Sequence, residues 1–311
     1  MKQNIKLIVG AILMVFFLFT YLYIPNKIVV SNNLFVYQAG TSVTRGLTQI
    51  EYWDKWVPYK SIEGHTFILE EGKLEVIESF IASAKTNYLL GDKTTPVFFS
   101  AVDAGKDSSL LRFEAIIDNR HLSPITRIEN FFTAKHIERN MNALLQKAGS
   151  YYNTTTGVYG FDIKETRVKD TTLITVQKNL TDTPTNAQIY ALIDKLMQNI
   201  KNKNGIVHGD PMVNITWQGE KNVFLQVAFP LAADIATEGE HQIKKMVLGN
   251  ILVVKVKGNN DKIRLALQAT ETFIHDHLRT SPAMPYVTYH TNRLLEKDPS
   301  KWESTIYYPI Y

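Results

Sequence analysis

Two stretches in the C-terminal half of the chain show the same order of short apolar runs. The first reads MVNITWQ and VFLQVAFPL at residues 212–218 and 223–231, and the second reads YVTYHTN and STIYYPIY at residues 286–292 and 304–311. Within these runs apolar and polar residues tend to alternate, which is typical of β-strands that bury one face. Each stretch therefore predicts a pair of neighbouring strands.

The segments that precede the two strand pairs also match each other. Residues 186–203 and 262–278 carry apolar side chains at a spacing of three and four, which predicts an amphipathic helix in each case. Strand-like stretches, 161–177 and 244–257, come before these helices. The pattern predicts two consecutive units, each with the order strand, helix, strand, strand.

Both units close on an apolar residue, a proline and another apolar residue, FPL at 229–231 and YPI at 308–310. A single unit of this size cannot bury the face of its own sheet, whereas two units can do so by pairing. We therefore expect a pseudo-twofold axis between the units, with a cleft along it.

Three phrases in this half resemble the GyrI-like, or AraC-type effector-binding, family: DPSKWESTIYYPI at 298–310, KKMVLGNILVVKVKGN at 244–259 and HGDPMVNITW at 208–217. The resemblance implies a tandem effector-binding domain over residues 158–311, with a cleft that takes small molecules. Some members of the family are hydrolases, and the resemblance implies that these pair a carboxylate with aromatic groups.

The preceding region, residues 33–150, shows several alternating strand-like runs followed by an amphipathic stripe from Pro124 to about Ala148. With YWDKWVP at 52–58 and SPITRIENFF at 123–132, it resembles the SRPBCC, or START-like, superfamily. That resemblance implies a helix-grip domain, in which a curved sheet wraps a long helix around a cavity. The combination resembles bacterial membrane-anchored proteins, and the expected fold class is α+β.

The run LIVGAILMVFFLFTYLYI at 7–24 contains no charged residue, and a helix of that length approaches the thickness of a bilayer core. A cleaved signal peptide is the alternative, but the bulky TYLYIPNK that ends the run is unsuited to cleavage. We therefore predict a transmembrane anchor over residues 1–26. Lys2 and Lys6 place the N-terminus in the cytoplasm, so the later domains are expected outside it.

Composition narrows the possible chemistry. The chain has no cysteine, which excludes disulfides and thiolate metal sites. Its formal net charge is +4, but its basic residues form no stripe interleaved with aromatic residues. His275 and His277 stand two apart on a predicted helix and point in different directions, so we expect no metal. The sequence predicts no cofactor and no nucleic-acid partner.

In the GyrI-like family that this half resembles, the last strand often carries a glutamate four residues before its closing proline. Thr305 stands at that position in the second unit and Gln226 in the first, with Glu303 displaced by two residues along the same strand face. Neutral side chains there favour hydrogen bonding over acid–base catalysis. The candidate ligand-binding set comprises these three residues and the nearby aromatic ones, Trp217, Phe224, Tyr289, Trp302 and Tyr307.

The sequence thus predicts that a membrane-anchored effector-binding protein takes small, largely apolar or amphipathic molecules without catalysis. One alternative is a hydrolase of small reactive molecules in the cleft, for which Glu303 would have to act. The other is a protein-interaction module in envelope signalling, with the cleft filled by its own side chains.

Overall fold

A computed structural model defines the structure over residues 2–57, 61–62, 65–169, 171–219 and 222–311. The chain divides into two compact units, Met1–Val158 and Tyr159–Tyr311. Each unit combines helices with one large antiparallel sheet.

The first unit contains a seven-stranded antiparallel sheet in the order β1-β7-β6-β5-β4-β3-β2. Its elements and the segment that leads to the second unit are α1 (Lys2–Tyr23), β1 (Lys27–Val36), α2 (Gly40–Thr48), a 3-10 turn (Ile50–Tyr52), α3 (Trp53–Trp56), β2 (Ser61–Ile62), β3 (Thr66–Ile68), β4 (Lys73–Ser79), β5 (Ser83–Leu90), β6 (Lys93–Gly105), β7 (Ser108–Asp118), α4 (Pro124–Tyr152) and α5 (Thr155–Tyr159).

Buried side chains alternate with more accessible ones along β5, β6 and β7, because one face of this sheet packs on helices and the other does not. Aromatic rings fill the covered side. The ring of Trp53 lies 4.7 Å from that of Trp56 and 5.6 Å from that of Phe99, and all three side chains are buried.

The long helix α4 begins at Pro124, after Ser123 caps its first turn. It continues through Gly149, where the sequence predicted its end. A Cβ at Gly149 would lie 2.8 Å from Leu34 Cδ2, so the glycine lets the last turns of α4 approach β1 closely. Helix packing thus sets the helical conformation at this position, against the local preference of glycine.

The predicted transmembrane anchor over residues 1–26 is contradicted by the structure. Crossing a bilayer takes about 20 consecutive, predominantly apolar residues in a helix. In the part of the chain that the structure describes, no helix is both long and apolar enough to cross a membrane. The single-pass location and the membrane partner that rested on this anchor are corrected with it.

The end of α1 instead packs on α4. The Tyr21 hydroxyl donates to the Leu122 carbonyl at 3.1 Å, and the Arg127 guanidinium lies 4.7 Å from the centre of the Tyr21 ring. The same guanidinium donates to the carbonyl oxygen of Ile24 and to Asn26 Oδ1. Residues 27–33, which separate the predicted anchor from the predicted helix-grip domain, are part of β1, which pairs with β7 from Lys27 onward.

The second unit contains β8 (Ile163–Arg167), β9 (Thr172–Leu180), α6 (Asn186–Asn202), β10 (Met212–Trp217), β11 (Val223–Leu231), β12 (Gln242–Lys245), β13 (Asn250–Lys257), α7 (Asn260–Asp276), β14 (Tyr286–Tyr289), a 3-10 turn (Pro299–Lys301) and β15 (Glu303–Ile310). Its eight strands form one sheet in the order β12-β9-β11-β10-β14-β15-β13-β8. If each strand is replaced by its counterpart in the other repeat, the same order is read in reverse. The two repeats are therefore related by a pseudo-twofold axis.

The two repeats meet where β10 pairs with β14, and each repeat lends its first strand to the sheet edge beside the other. α6 and α7 pack on one face of the sheet. Leu225, Val227 and Phe229 of β11 point to that face and join the apolar residues of α6 in one buried cluster. The alternate residues of each strand point to the opposite side, which we call the helix-free face.

Candidate functional site

Strand pairing shows which side chains lie at the centre of the helix-free face. Ala228 lies opposite Met212, Met212 opposite Thr288, and Thr288 opposite Thr305. Because paired residues share a face, this row crosses both repeats without interruption. Leu173, Met212 and Ala228 form a buried apolar cluster on this side, with Met246 and Tyr286 packed against it.

Two tyrosines form an aromatic wall next to this cluster. Tyr286 and Tyr307 are paired across β14 and β15, and their rings stack with centres 4.9 Å apart and planes inclined by 13°. Burial, and to a smaller degree the neighbouring Tyr307, raises the pKa of the Tyr286 hydroxyl above its ordinary value. Tyr286 therefore remains a neutral hydrogen-bonding group at physiological pH.

A neutral polar group occupies the corresponding place in the first repeat. Gln226 lies opposite Asn214, whose amide donates to the Pro285 carbonyl at 2.6 Å. The Gln226 Oε1 atom is buried and has no hydrogen-bond partner among the described residues. An unpaired buried acceptor is costly, and a bound molecule that donates a hydrogen bond would relieve this cost.

A polar cluster lies beside the start of β10 and the end of β14 on this face. His290 Nδ1 is 2.6 Å from Asp210 Oδ2, and His290 Nε2 is 2.8 Å from Thr305 Oγ1. The pairing of β10 with β14 explains the first contact, since extending its register by two residues sets Asp210 opposite His290. Thr305 is only 4% exposed, whereas 37% of the His290 side chain is accessible.

Charged side chains flank this cluster on β13 and β15. Glu303 shares the face of Thr305 but is exposed, and its Oε1 lies 3.4 Å from Lys257 Nζ. Lys255 lies directly opposite Thr305, is exposed, and has no carboxylate partner among the described residues. The carboxylates of Glu303 and Asp210 balance the ammonium groups of Lys255 and Lys257 when His290 is neutral, and position 305 itself carries a neutral hydroxyl where the family resemblance implies a carboxylate.

The structure brings together five of the predicted site residues on the helix-free face, namely Phe224, Gln226, Glu303, Thr305 and Tyr307. It separates the other three. Trp217 is 51% exposed and shares the opposite face with Val223. Tyr289 belongs to the buried cluster on α6, and Trp302 is buried ahead of β15 with its indole donating to the Glu296 carbonyl.

Tyr289 and Trp302 instead hold a buried cation. The Arg293 guanidinium lies 3.5 Å from the Tyr289 ring centre and 5.0 Å from that of Trp302. It donates to Asn260 Oδ1 at 2.6 Å and to Ser304 Oγ at 2.8 Å. Burial lowers the pKa of Arg293 from its ordinary value. These aromatic residues therefore fix the β14–β15 connection.

The predicted candidate set does not include Asp210, His290 and Tyr286, although Tyr286 is one of the aromatic residues of the predicted cleft strands. Asp210 reads as a turn residue before Pro211, and His290 as one of several isolated histidines. The repeat carried a usable signal, because β10 and β14 are equivalent strands and meet antiparallel at the two-fold axis. Asp210, just before β10, must then lie near His290, just after β14.

A pocket of about 420 Å³ lies elsewhere in this unit, lined by Lys203–Ile206 and Ala232–Ala236. None of the predicted site residues lines it. Over the described residues, no group of three or more histidine, aspartate or glutamate side chains is placed to hold a metal ion.

Neither a family model nor a curated protein matches the chain. Solved structures do, at low identity. The C-terminal domain of EcmrR is 14% identical, with 49% of this chain and 98% of that chain covered and a TM-score of 0.43. A hydrolase from Listeria innocua is 10% identical, with 48% and 91% covered and a TM-score of 0.36.

The structure of SAV2435 bound to tetraphenylphosphonium is 11% identical, with 48% of this chain and 93% of that chain covered and a TM-score of 0.30. With TM-scores below 0.5, these similarities do not establish the fold of this chain, and the GyrI-like resemblance of the second unit stays a prediction. They assign no ligand, partner or activity to this chain, and the SRPBCC resemblance of the first unit stays a prediction.

Proposed function

We propose that the helix-free face of the second unit binds a small, largely apolar or amphipathic organic molecule. The observation that carries this proposal is the buried, unpaired Gln226 Oε1 on the same face as the stacked Tyr286 and Tyr307 rings. Aromatic walls with a few convergent polar groups are typical of small-molecule sites.

The strand order sets the length of a suitable ligand. Gln226 is on β11 and Tyr286 on β14, two strands away, which corresponds to about 10 Å at the usual strand spacing. A ligand with an aromatic or alicyclic body against the tyrosine rings and a hydrogen-bond donor at its other end would reach both. Thr305 and Lys255 are available to a polar or anionic substituent near Tyr307.

The driving force is burial of apolar surface against the tyrosine rings and the Met212 cluster. Covering one aromatic side chain fully contributes about 1.5–3 kcal/mol. Removal of the Tyr307 ring should therefore weaken binding by roughly one to two orders of magnitude.

The proposal is tested on the full chain by calorimetry and fluorescence with three probes: 8-anilinonaphthalene-1-sulfonate, an aromatic anion; rhodamine 6G, an aromatic cation; and decanoate. We expect at least one probe to bind and Tyr307→Ala to weaken it at least tenfold. Trp217→Ala is the matched control, since it removes an exposed aromatic ring from the opposite face. Equal weakening in both variants, or no binding of any probe, contradicts the proposal.

A further inference from the structure

Asp210, His290 and Thr305 form a continuous hydrogen-bonded line. The Asp210 carboxylate is 2.6 Å from His290 Nδ1, and His290 Nε2 is 2.8 Å from the Thr305 hydroxyl oxygen. A ring nitrogen that faces a carboxylate carries the proton, so the other nitrogen of a neutral imidazole accepts one. With the imidazole in that form, the Thr305 hydroxyl donates to His290 Nε2, which can act as its base.

The sheet fixes the position of Thr305 in this line. Thr288 is the other hydroxyl near the imidazole, but its Oγ1 is 3.5 Å from Nε2 and it also lies within reach of the Thr305 backbone carbonyl. Thr305 is thus the closer partner. Thr305 and Thr288 are on paired strands, so their positions depend on the sheet and not on a loop.

We propose that Thr305 is a nucleophile that accepts a small acyl group from an ester, with His290 as its general base and Asp210 as a positioning residue. This carboxylate–imidazole–hydroxyl geometry is recognised by the roles of its members and recurs on unrelated folds. Lys255 lies opposite Thr305 without an ion-pair partner among the described residues, and its charge can stabilise the oxyanion that forms.

The reaction has two balanced halves. Thr305 Oγ1 attacks the carbonyl carbon of the ester while His290 Nε2 takes the hydroxyl proton; the bond from carbonyl carbon to alkoxy oxygen then breaks, and the leaving oxygen takes the proton from His290. Water next attacks the acyl-threonine, passes one proton through His290 to Thr305, and releases the acid. The sum is an ester and water giving an acid and an alcohol.

The burial of Thr305 and the neighbouring tyrosine rings define the substrate class. Because only 4% of Thr305 is exposed, the acyl group must be small, such as acetyl. The inference rests on the proposed function in one respect: the alcohol part of the ester would lie against the Tyr286 and Tyr307 rings, which share the face of Thr305.

The experiment uses the full chain and 4-nitrophenyl acetate, with release of nitrophenol followed by absorbance and the acetylated residue located by peptide mass spectrometry. We expect acetyl-Thr305 in the wild type. Thr305→Val and His290→Gln should lower the rate at least about 100-fold, and Thr305→Ser should keep the activity. His275→Gln is the matched control, because His275 is an exposed histidine outside the site.

The kinetic parameters and the pH dependence of the rate test the role of Asp210 as a positioning residue. Asp210→Asn should lower kcat more than it changes KM and shift the pH dependence of the rate, while Asp210→Glu should restore part of both. A merely structural aspartate would leave the pH profile unchanged.

The proposal is overturned if acetyl groups appear only on lysines, or if Thr305→Val and His290→Gln hydrolyse the ester at the wild-type rate. Thermal midpoints of both variants exclude unfolding as the cause of a loss. If Thr305→Val does not fold, Thr305→Ser carries the test, because its acetyl group must then be found on residue 305. Binding of the three probes in His290→Gln separates the two proposals: retained binding with lost acetylation supports both. Probe binding without acetylation of the wild type removes only the chemistry.

Discussion

The two repeats of the second unit have the same topology and present different chemistry on the same face. Pro230 lies opposite Leu173 in the first repeat and Pro309 opposite Ile251 in the second, which fixes the equivalent positions. By that register Gln226 corresponds to Thr305. The alternation of apolar residues preserves the sheet in both repeats, while the polar positions of the helix-free face are free to differ.

The chemical difference follows from the neighbours of these two residues. Gln226 stands between Gln177 and Asn214, so the first repeat offers neutral amides. Thr305 stands between Lys255 and Thr288 and is bonded to His290, so the second repeat offers hydroxyls, a cation and a titratable ring. A duplicated scaffold can therefore carry a binding half and a reactive half.

The loops differ as well. Five residues separate β10 from β11, whereas the connection from β14 to β15 runs from His290 to Trp302. The longer loop is fixed by the buried Arg293, and the Tyr190 hydroxyl of α6 accepts from the Arg293 backbone amide at 3.0 Å. Stability of the second repeat should depend on this cation in a way that the first does not.

The largest effect is expected at Arg293. Arg293→Ala should lower the free energy of unfolding by about 2–4 kcal/mol, because it removes a stacked side chain and leaves Asn260 and Ser304 without their partner. Urea titration measures the change. Arg264→Ala on the surface of α7 is the control and should cost under about 0.5 kcal/mol. Equal losses in the two variants would contradict the role of Arg293.

Replacing the unpaired amide should stabilise the unliganded protein. Gln226→Met removes a buried acceptor without a partner and keeps the side-chain volume, so we expect the free energy of unfolding to rise by about 1 kcal/mol. Denaturant midpoints test this, and the same variant should bind the probes less tightly. A loss of stability would mean that the Gln226 amide is satisfied in solution.

The equivalent change in the second repeat should have the opposite sign. Thr305→Val keeps the side-chain shape but removes the hydroxyl that His290 Nε2 contacts, so we expect a loss of about 1 kcal/mol. Chemical denaturation of this variant beside Gln226→Met gives the comparison directly. Changes of the same sign at both positions would show that the two polar sites are alike.

The smallest effect is spectroscopic and concerns Tyr286. Its pKa is raised by burial, so the neutral form is favoured in the folded state; the stability this gives is present below the ordinary tyrosine pKa and is lost as pH rises through the folded value. Absorbance titration of wild type minus Tyr286→Phe should show one tyrosine that ionises above the usual range. Ionisation of that tyrosine near pH 10 would show that the pair with Tyr307 opens in solution.

Much of the local structure could be predicted because it depends on short-range patterns. The stripe from Pro124 to Ala148 and the two helices near Asn186 and Lys262 appear in the structure within a few residues of the predicted bounds. The faces of Thr305 and Tyr307 also followed from alternation alone. The local sequence predicts that the helix ends before Gly149. It cannot show that this glycine continues the helix, because its close neighbour Leu34 belongs to a distant part of the chain.

The candidate site was predicted only in part, since strand register is not a local property. Alternation cannot tell which face of β10 the helix will cover, so Trp217 was grouped with Gln226 although they lie on opposite faces. Alternation also cannot show that Tyr289 and Trp302 contact Arg293, because that contact depends on the path of a long loop.

The sequence by itself determined the repeated units, their two helices, the two strands after each helix, and the polar residues that replace the expected glutamate. These features depend on the spacing of side chains along the backbone, which the chain carries locally. The single strand predicted before each helix is a pair of strands in the structure, β8 and β9 in the first repeat and β12 and β13 in the second. The tertiary structure decided the packing of α1 on α4, the burial of Arg293 and the meeting of Asp210 with His290 and Thr305. The last of these contacts joins the two repeats across the two-fold axis, so it exists only when β10 pairs with β14 in one register.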